Sequence, residues 1–313
     1  MVATLQRTLS KSHPKSFAQF LNGDSDDGSG TGRGKAAGGF GFFILFIIIA
    51  LIINSCLSSN PAAKVAFPTH GNPWPPRASV NVVLAPVLTR LQACAQAPVL
   101  APVNCPQAKS DIYASAAADV HWSLHGDAAQ GARVVYWKKA FDIAGSAIME
   151  VTYSDAYGSN LAVQVVHCRA SERWLDGRPI LSSIRGVGGS AVPIIRKSRP
   201  DVAWTSLQEA VRSAFNQCVA AKSAPPPPQC PSDPNSAISG SDPRWRLVSD
   251  PLLNASESFD PATGLIHVTG SYAMKVTYDV VLFGRQSASQ AGNYDAMISI
   301  DGSRIDVLQI VAS

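Results

Sequence analysis

Charge is scarce in this 313-residue chain: Asp, Glu, Lys and Arg together make up 15% of it, and the net +4 is spread rather than blocked. A nucleic-acid groove needs a concentrated basic stripe, so nucleic acid is not an expected partner. Catalytic signatures are missing too. No Gly-x-Ser-x-Gly elbow occurs, and no Cys/His nucleophile pair stands in a supporting context. Gly30-Thr31-Gly32-Arg33-Gly34-Lys35 has the outline of a phosphate loop, but Ala36 follows the lysine and no strand pattern precedes it, so a flexible tail is expected instead. No Cys-x-x-Cys knuckle is present, which argues against structural zinc. No catalytic residue, cofactor or metal is therefore expected.

What the chain does contain, it contains twice. Gly145-Ser146-Ala147-Ile148-Met149-Glu150-Val151-Thr152-Tyr153 returns 125 positions later as Gly270-Ser271-Tyr272-Ala273-Met274-Lys275-Val276-Thr277-Tyr278. Alternation puts Met149, Val151 and Tyr153 on one side of a strand and Glu150 and Thr152 on the other, and the second stretch falls the same way. Around it, Trp122 matches Trp245, Asp127 matches Asp250, Asp176-Gly177 matches Asp301-Gly302, and Cys94 and Cys105-Pro106 match Cys218 and Cys230-Pro231. The period is too long for a solenoid, so each copy is a domain.

Only one long apolar run interrupts the polar start. Residues 1–35 are Gly/Ser-rich and read as a disordered cytoplasmic tail. Residues 36–56 carry no charge and are long enough to cross a bilayer as a helix, with more Lys and Arg before them than after. The expected topology is a single-pass cell-membrane protein, N-terminus cytoplasmic and everything after Leu57 extracytoplasmic. Ile53-Asn54-Ser55-Cys56 is close to a lipobox, which makes Cys56 a lipidation candidate. Residues 57–80 read as a Pro-rich stalk.

The repeats are expected at 81–186 and 201–313, joined by a linker at 187–200 with a small basic cluster. Each opens with a helix: Pro86 to Ala95, with Pro86 in its first turn, and a stretch behind the capping box Ser206-Leu207-Gln208-Glu209. Several strand-type runs follow, among them Ala132–Ile143, Ala147–Tyr153 and Leu161–Trp174 in the first copy and Leu265–Phe283, with a turn inside it, in the second. One helix and about four antiparallel strands per copy predict an α+β class: a transmembrane helix, then two duplicated helix-plus-antiparallel-sheet domains of cystatin-like or cone-shaped form. Outside a membrane, Cys94 with Cys105 and Cys218 with Cys230 read as one local disulfide per copy.

Other reactive side chains have plainer readings. His121 and His125 share one side of a strand without a third ligand, so satisfied or surface histidines are expected. Asp127 and Asp250 suit turns, Tyr153 and Tyr278 suit a strand's core face, and Cys168 reads as a buried thiol. Asn254-Ala255-Ser256 fits a glycosylation acceptor only in a eukaryotic secretory host.

The tail, anchor, stalk and helix ending in Cys…Cys-Pro before a β-rich region together resemble single-pass envelope proteins of actinobacterial type. An anchor followed by two copies of one domain also resembles scaffold subunits of conjugation and secretion channels. The missing catalytic constellation, and repeated positions that are those a core needs, point to an anchored, non-enzymatic binding or scaffold protein of the cell envelope, with a protein, envelope polymer or lipid as partner and room for a homo-oligomer. The alternatives are a small-ligand or enzymatic pocket between helix and sheet, and a scaffold subunit of a channel.

Overall fold

In the computed structural model, residues 67–107, 117–156, 158–188, 192–232 and 240–313 are described. The expected membrane segment 36–56 and Cys56 lie outside them. Among the described residues no helix is long and apolar enough to cross a membrane.

The first helix, α1 (Val80–Cys94), forms because Val83, Leu84, Val87, Leu91 and Cys94 recur at helical spacing and are all buried. Ser79 caps it, accepting from the Val82 amide at 3.4 Å. Pro86 sits inside the helix rather than in its first turn. Having no N–H, it leaves the Val82 carbonyl without its helical partner, and burial of Val83 and Leu84 holds the upstream turns in place. The second helix, α2 (Trp204–Ala220), buries Leu207, Val211, Phe215 and Cys218 in the same way. Its expected capping box falls inside the helix, which starts after Ala203 without a side-chain cap. Val202 and Trp204 pack on the core beneath, and that contact carries the start upstream.

After α1 come β1 (Ala118–His125), β2 (Arg133–Trp137), β3 (Ala140–Asp155), β4 (Gly158–Leu175) and β5 (Arg178–Gly186). After α2 come β6 (Ser241–Leu247), β7 (Ser256–Phe259), β8 (Ile266–Val280), β9 (Gly284–Asp301) and β10 (Arg304–Ala312). Both sheets are antiparallel and share one topology: β1-β3-β4-β5 with β2 also on β3, and β6-β8-β9-β10 with β7 also on β8. Register confirms the match residue by residue. Met149 stands opposite Gln164 as Met274 stands opposite Gln290, and Gly145 opposite Cys168 as Gly270 opposite Tyr294.

The expected α+β class, with its cystatin-like or cone-shaped domains, is corrected. The described residues are 48% strand and 14% helix, a mostly β protein with two helices. The cause is strand length. The runs foreseen at Ala147–Tyr153 and at the end of Ala132–Ile143 are one continuous β3 of 16 residues, and the turn foreseen inside Leu265–Phe283 does not occur before Val280. Long paired strands add sheet while each copy keeps a single helix.

Each helix covers the inner face of its own sheet. The first core joins α1 to Trp122, Phe141, Met149, Val151 and Val166, and the second joins α2 to Trp245, Ile266, Met274, Val276 and Tyr294. Both disulfides are formed, Cys94–Cys105 and Cys218–Cys230, with Cα separations of 5.7 and 5.6 Å. Each closes a loop that the matching tryptophan then ties to the sheet: Trp122 Nε1 donates to the Val99 carbonyl and Trp245 Nε1 to the Ser223 carbonyl, both at 2.9 Å. A buried indole N–H needs such a partner, so one bond satisfies the ring and fixes the loop.

Residues 67–76 lie against the first sheet. Asn72 N donates to the Tyr136 carbonyl at 2.7 Å, and Trp74 meets Phe141 edge to face at 5.2 Å. The Asn72 bond occupies part of the free edge of β2, which would otherwise invite pairing with another chain.

Replacing Cys218 and Cys230 by alanine should lower the unfolding free energy by about 3 kcal/mol, the loop-closure value for a dozen residues. Urea denaturation followed by Trp fluorescence checks this, and reductant should shift the unmodified chain the same way.

Candidate functional site

The described residues belong to one compact unit, Lys64–Ser313, and the two sheets meet inside it along an apolar seam. Ile148 from β3, Leu265 preceding β8 and Leu308 from β10 are buried together, with Val163, Val165 and Met297 around them. Ile148 therefore lies on the outer face of β3 yet is only 2% exposed. Leu308 reaches the seam because the β9–β10 register shifts between Val307 and Gln309, and the extra residue of such a bulge can be re-aimed.

The seam does not follow the duplication. By register, Ile148, Val163 and Val165 correspond to Ala273, Ser289 and Ala291, and Leu265, Met297 and Leu308 correspond to Ala140, Ser171 and Ser182. At these six positions each copy carries the larger apolar side chain only where it faces the other. The contact is head-to-tail in kind: different positions of the two copies meet, and the unused counterparts are Ala and Ser.

Polar groups line the seam's edges. Lys197, from the linker, is buried, its ammonium donating to the Asp127 carbonyl at 3.1 Å and its backbone N–H to the Pro261 carbonyl at 2.7 Å. Burial pulls its pKa below the usual lysine value, against the opposing pull of Asp127 and Cys168. His125 stands between the copies, its Nε2 3.3 Å from Glu150 Oε2 and its Nδ1 3.7 Å from Asp306 Oδ2. Two open clefts flank these groups. One of about 370 Å³ includes His125, Glu150, Gln217 and Asp306, and one of about 250 Å³ includes Asp127, Lys197 and Gly264. The carboxylates approach opposite nitrogens of the His125 ring, so the three cannot close on one ion. Among the described residues no group of three or more His, Cys, Asp or Glu could hold a metal.

Where the copies diverge, the first carries titratable groups and the second carries bulk. Cys168 faces Gly145 where Tyr294 faces Gly270, and Glu172 faces Phe141 where Ile298 faces Ile266. Tyr294 fills its core, donates its hydroxyl to the Pro251 carbonyl at 2.9 Å, and is pushed up to about 12 by burial and by Asp250. Its ring lies so close over residue 270 that a Cβ there would come within 2.9 Å, which explains why that position is glycine. Cys168 is free and buried, its thiol pushed up to about 11 by burial, so it is a poor nucleophile. Glu172 is fully buried with neither carboxyl oxygen hydrogen-bonded among the described residues, and desolvation raises its pKa to about 7. Phe141 opposite it gathers Trp74, Tyr136 and Trp174 into an aromatic cluster.

Among the described residues the most exposed apolar group is at the β8–β9 turn. Val281, Leu282 and Phe283 are 98%, 86% and 73% exposed. Phe283 N closes the turn on the Val280 carbonyl at 3.0 Å, and Gly284 supplies the positive φ. The charges at its base neutralise one another. Arg285 reaches Asp279 at 3.0 Å and Asp242 at 3.3 Å, while Arg244 reaches Asp242 at 3.0 Å. Hydrogen bonds from Arg244 and Arg285 hold the Asp242 carboxyl below the usual carboxylate range. In the first copy β3 ends at Asp155 and β4 begins at Gly158.

Several residues stand where the sequence places them. Asp127 and Asp250 each accept from the amide two residues on, at 2.8 and 3.0 Å, as turn residues do. Tyr153 and Tyr278 pack at the margins of their cores, and burial with Asp155 raises the Tyr153 pKa. His121 is exposed, while His125 belongs to the seam. The basic linker cluster, expected to be solvated, divides: Lys197 is buried and Arg199 pairs with Glu257 at 2.6 Å. Glu172, the seam and the Val281–Phe283 tip were not foreseen. Setting the copies side by side would have exposed Glu172 against Ile298.

No family model matches the chain, and no curated protein matches it. A solved structure described as an Ntf2-like protein involved in plasmid conjugation is 8% identical, with 63% of this chain and 77% of that one covered and a TM-score of 0.14. That likeness is too slight to carry an argument.

Glu172→Gln should remove a pH dependence of stability. With its folded pKa above its unfolded value, Glu172 costs nothing below about pH 4.5 and progressively destabilises the fold up to about pH 7. Unfolding free energy measured at pH 5 and pH 8 should therefore fall by roughly 1–3 kcal/mol in the unmodified chain and change less in the variant.

Proposed function

We propose that this chain is a non-catalytic binding protein of the cell envelope, held to the membrane through residues 36–56, whose second domain docks a partner protein by the β8–β9 turn. The exposed Val281-Leu282-Phe283 tip carries the reading. Turns elsewhere in this chain meet solvent with Asp-Gly, at 176–177 and 301–302, so the turn geometry alone does not call for three large apolar side chains. Fully burying such a side chain is worth about 1.5–3 kcal/mol, and a few such residues often dominate an interface. The neutralised base suits a pocket in another protein better than a charged surface.

Two further features support the reading. Local disulfides suit an oxidising, extracytoplasmic setting. Both inner faces are filled at matching positions, Val87 and Val211, Leu91 and Phe215, Met149 and Met274, Val151 and Val276. A module that binds through a turn needs such a packed interior only to hold the turn still.

A photo-crosslinker placed at Leu282 of the full chain in its native envelope should capture one protein. Capture should fall about a hundredfold or more when Val281 and Phe283 become serine, if each contributes at least the lower burial value of about 1.5 kcal/mol. Adducts with lipid alone, or capture indifferent to those substitutions, would refute the docking role.

A further inference from the structure

The first domain ends in a second kind of surface. Trp137, Ala140, Arg173 and Ile180 pair across β2, β3, β4 and β5, so they share one face of the sheet, the face away from Phe141 and the core. Trp137 and Ile180 are exposed, as are Leu175 and its cross-strand partner Arg178. The β2–β3 turn that brings the chain back under this row is Lys138-Lys139, both exposed.

That turn breaks a local rule. Lys138 and Lys139 have φ of 50° and 63°, the left-handed region that side chains disfavour. The β4–β5 turn beside it meets the same demand with Asp176-Gly177, the residues this geometry favours. Turn geometry does not select two lysines, so another requirement holds them there. None of Lys138, Lys139, Arg173 and Arg178 enters an ion pair among the described residues. Asp176 is the only acid on the two turns.

We propose that this end of the first domain rests on an anionic bilayer surface, Trp137, Leu175 and Ile180 entering the interface and the four cations meeting lipid phosphates. An anionic polymer or acidic peptide would answer the charge but leave the apolar row in water. A bilayer interface answers both, since tryptophan favours the headgroup level and each nearby cation adds attraction to anionic lipid. Chain length is compatible. The proposal rests on residues 36–56 being the anchor, and only residues 57–66 separate that segment from Phe67, a span of at most about 35 Å. Phe67 is already on this face, its ring 5.9 Å from the Arg133 guanidinium and 5.5 Å from that of Arg169. Arg133 and Arg169 flank Ala144 in the register row four residues along β3 from Ala140.

The test is hydrogen exchange of the full chain in vesicles of phosphatidylcholine, with or without about a quarter phosphatidylglycerol. Amides of 137–140 and 175–178 should exchange about tenfold more slowly with the anionic lipid, and 1 M salt should abolish the difference. K138Q/K139Q/R173Q/R178Q should lose it as well. Equal exchange in both vesicles, or protection that survives the salt, overturns the proposal even if the variant fails to fold. Alkaline carbonate extraction of the same vesicles reads the anchor separately. A chain that stays in the pellet without lipid-dependent protection keeps its anchor and refutes the surface contact, whereas one that washes off refutes the anchored reading itself.

Discussion

Three apolar side chains, Ile148, Leu265 and Leu308, close the space between two sheets that otherwise share little contact. Two domains joined by a linker are ordinarily free to reorient, because interfaces between them are small and polar. Here the linker itself is fixed in the joint. Lys197 bonds to Asp127 of one copy and to Pro261 of the other, and Arg199 pairs with Glu257. Gly126, whose φ of +65° favours glycine, lies beside the backbone of Ile300 in the second copy. The relative placement of the two domains' outer surfaces then follows from packing, and each domain can specialise without losing register with its neighbour.

Specialisation is visible wherever the copies differ. The shared positions are those that any one copy needs in order to fold: the disulfide, the tryptophan that ties its loop, the turn aspartate and the methionine and valine under the helix. The differing positions include those that touch something outside the copy's own core, and interior ones such as Cys168 and Glu172. The second copy fills that interior with Tyr294 and Ile298 and carries an apolar turn outward. The first keeps a buried acid and presents cations. A carboxyl held without hydrogen bonds costs stability, and only a well-packed surrounding such as the Phe141 aromatic cluster makes that tolerable.

Much of the repeated framework was legible in the sequence because its signals are local or duplicated. Cysteines eleven and twelve residues apart, followed by proline, sufficed for both disulfides. The Met-x-Val-Thr-Tyr alternation showed the inner face of β3 and β8. Fold class was misjudged because pattern reading segments a strand wherever alternation falters. Ala144 to Met149 is buried on both faces, with Ile148 on the outer face packed against the second domain, so no alternation marks it as the middle of one long strand. The seam was illegible for a related reason. Its six residues are distant in sequence and their counterparts are Ala or Ser, so neither periodicity nor the repeat signals them. Pro86 and Ser206 misled because each is a good start residue that tertiary packing overrode.

All of this depends on the two domains moving as one body. The most direct measurement is the distance between spin labels at R178C, on the β4–β5 turn of the first domain, and L282C, on the apolar turn of the second, by pulsed electron paramagnetic resonance in the otherwise unmodified chain. A single narrow distribution, broadened when Leu308 is replaced by aspartate, is the expected result. A broad distribution in the chain with Leu308 intact would mean that the seam does not hold the domains together, and the account built on it would fail.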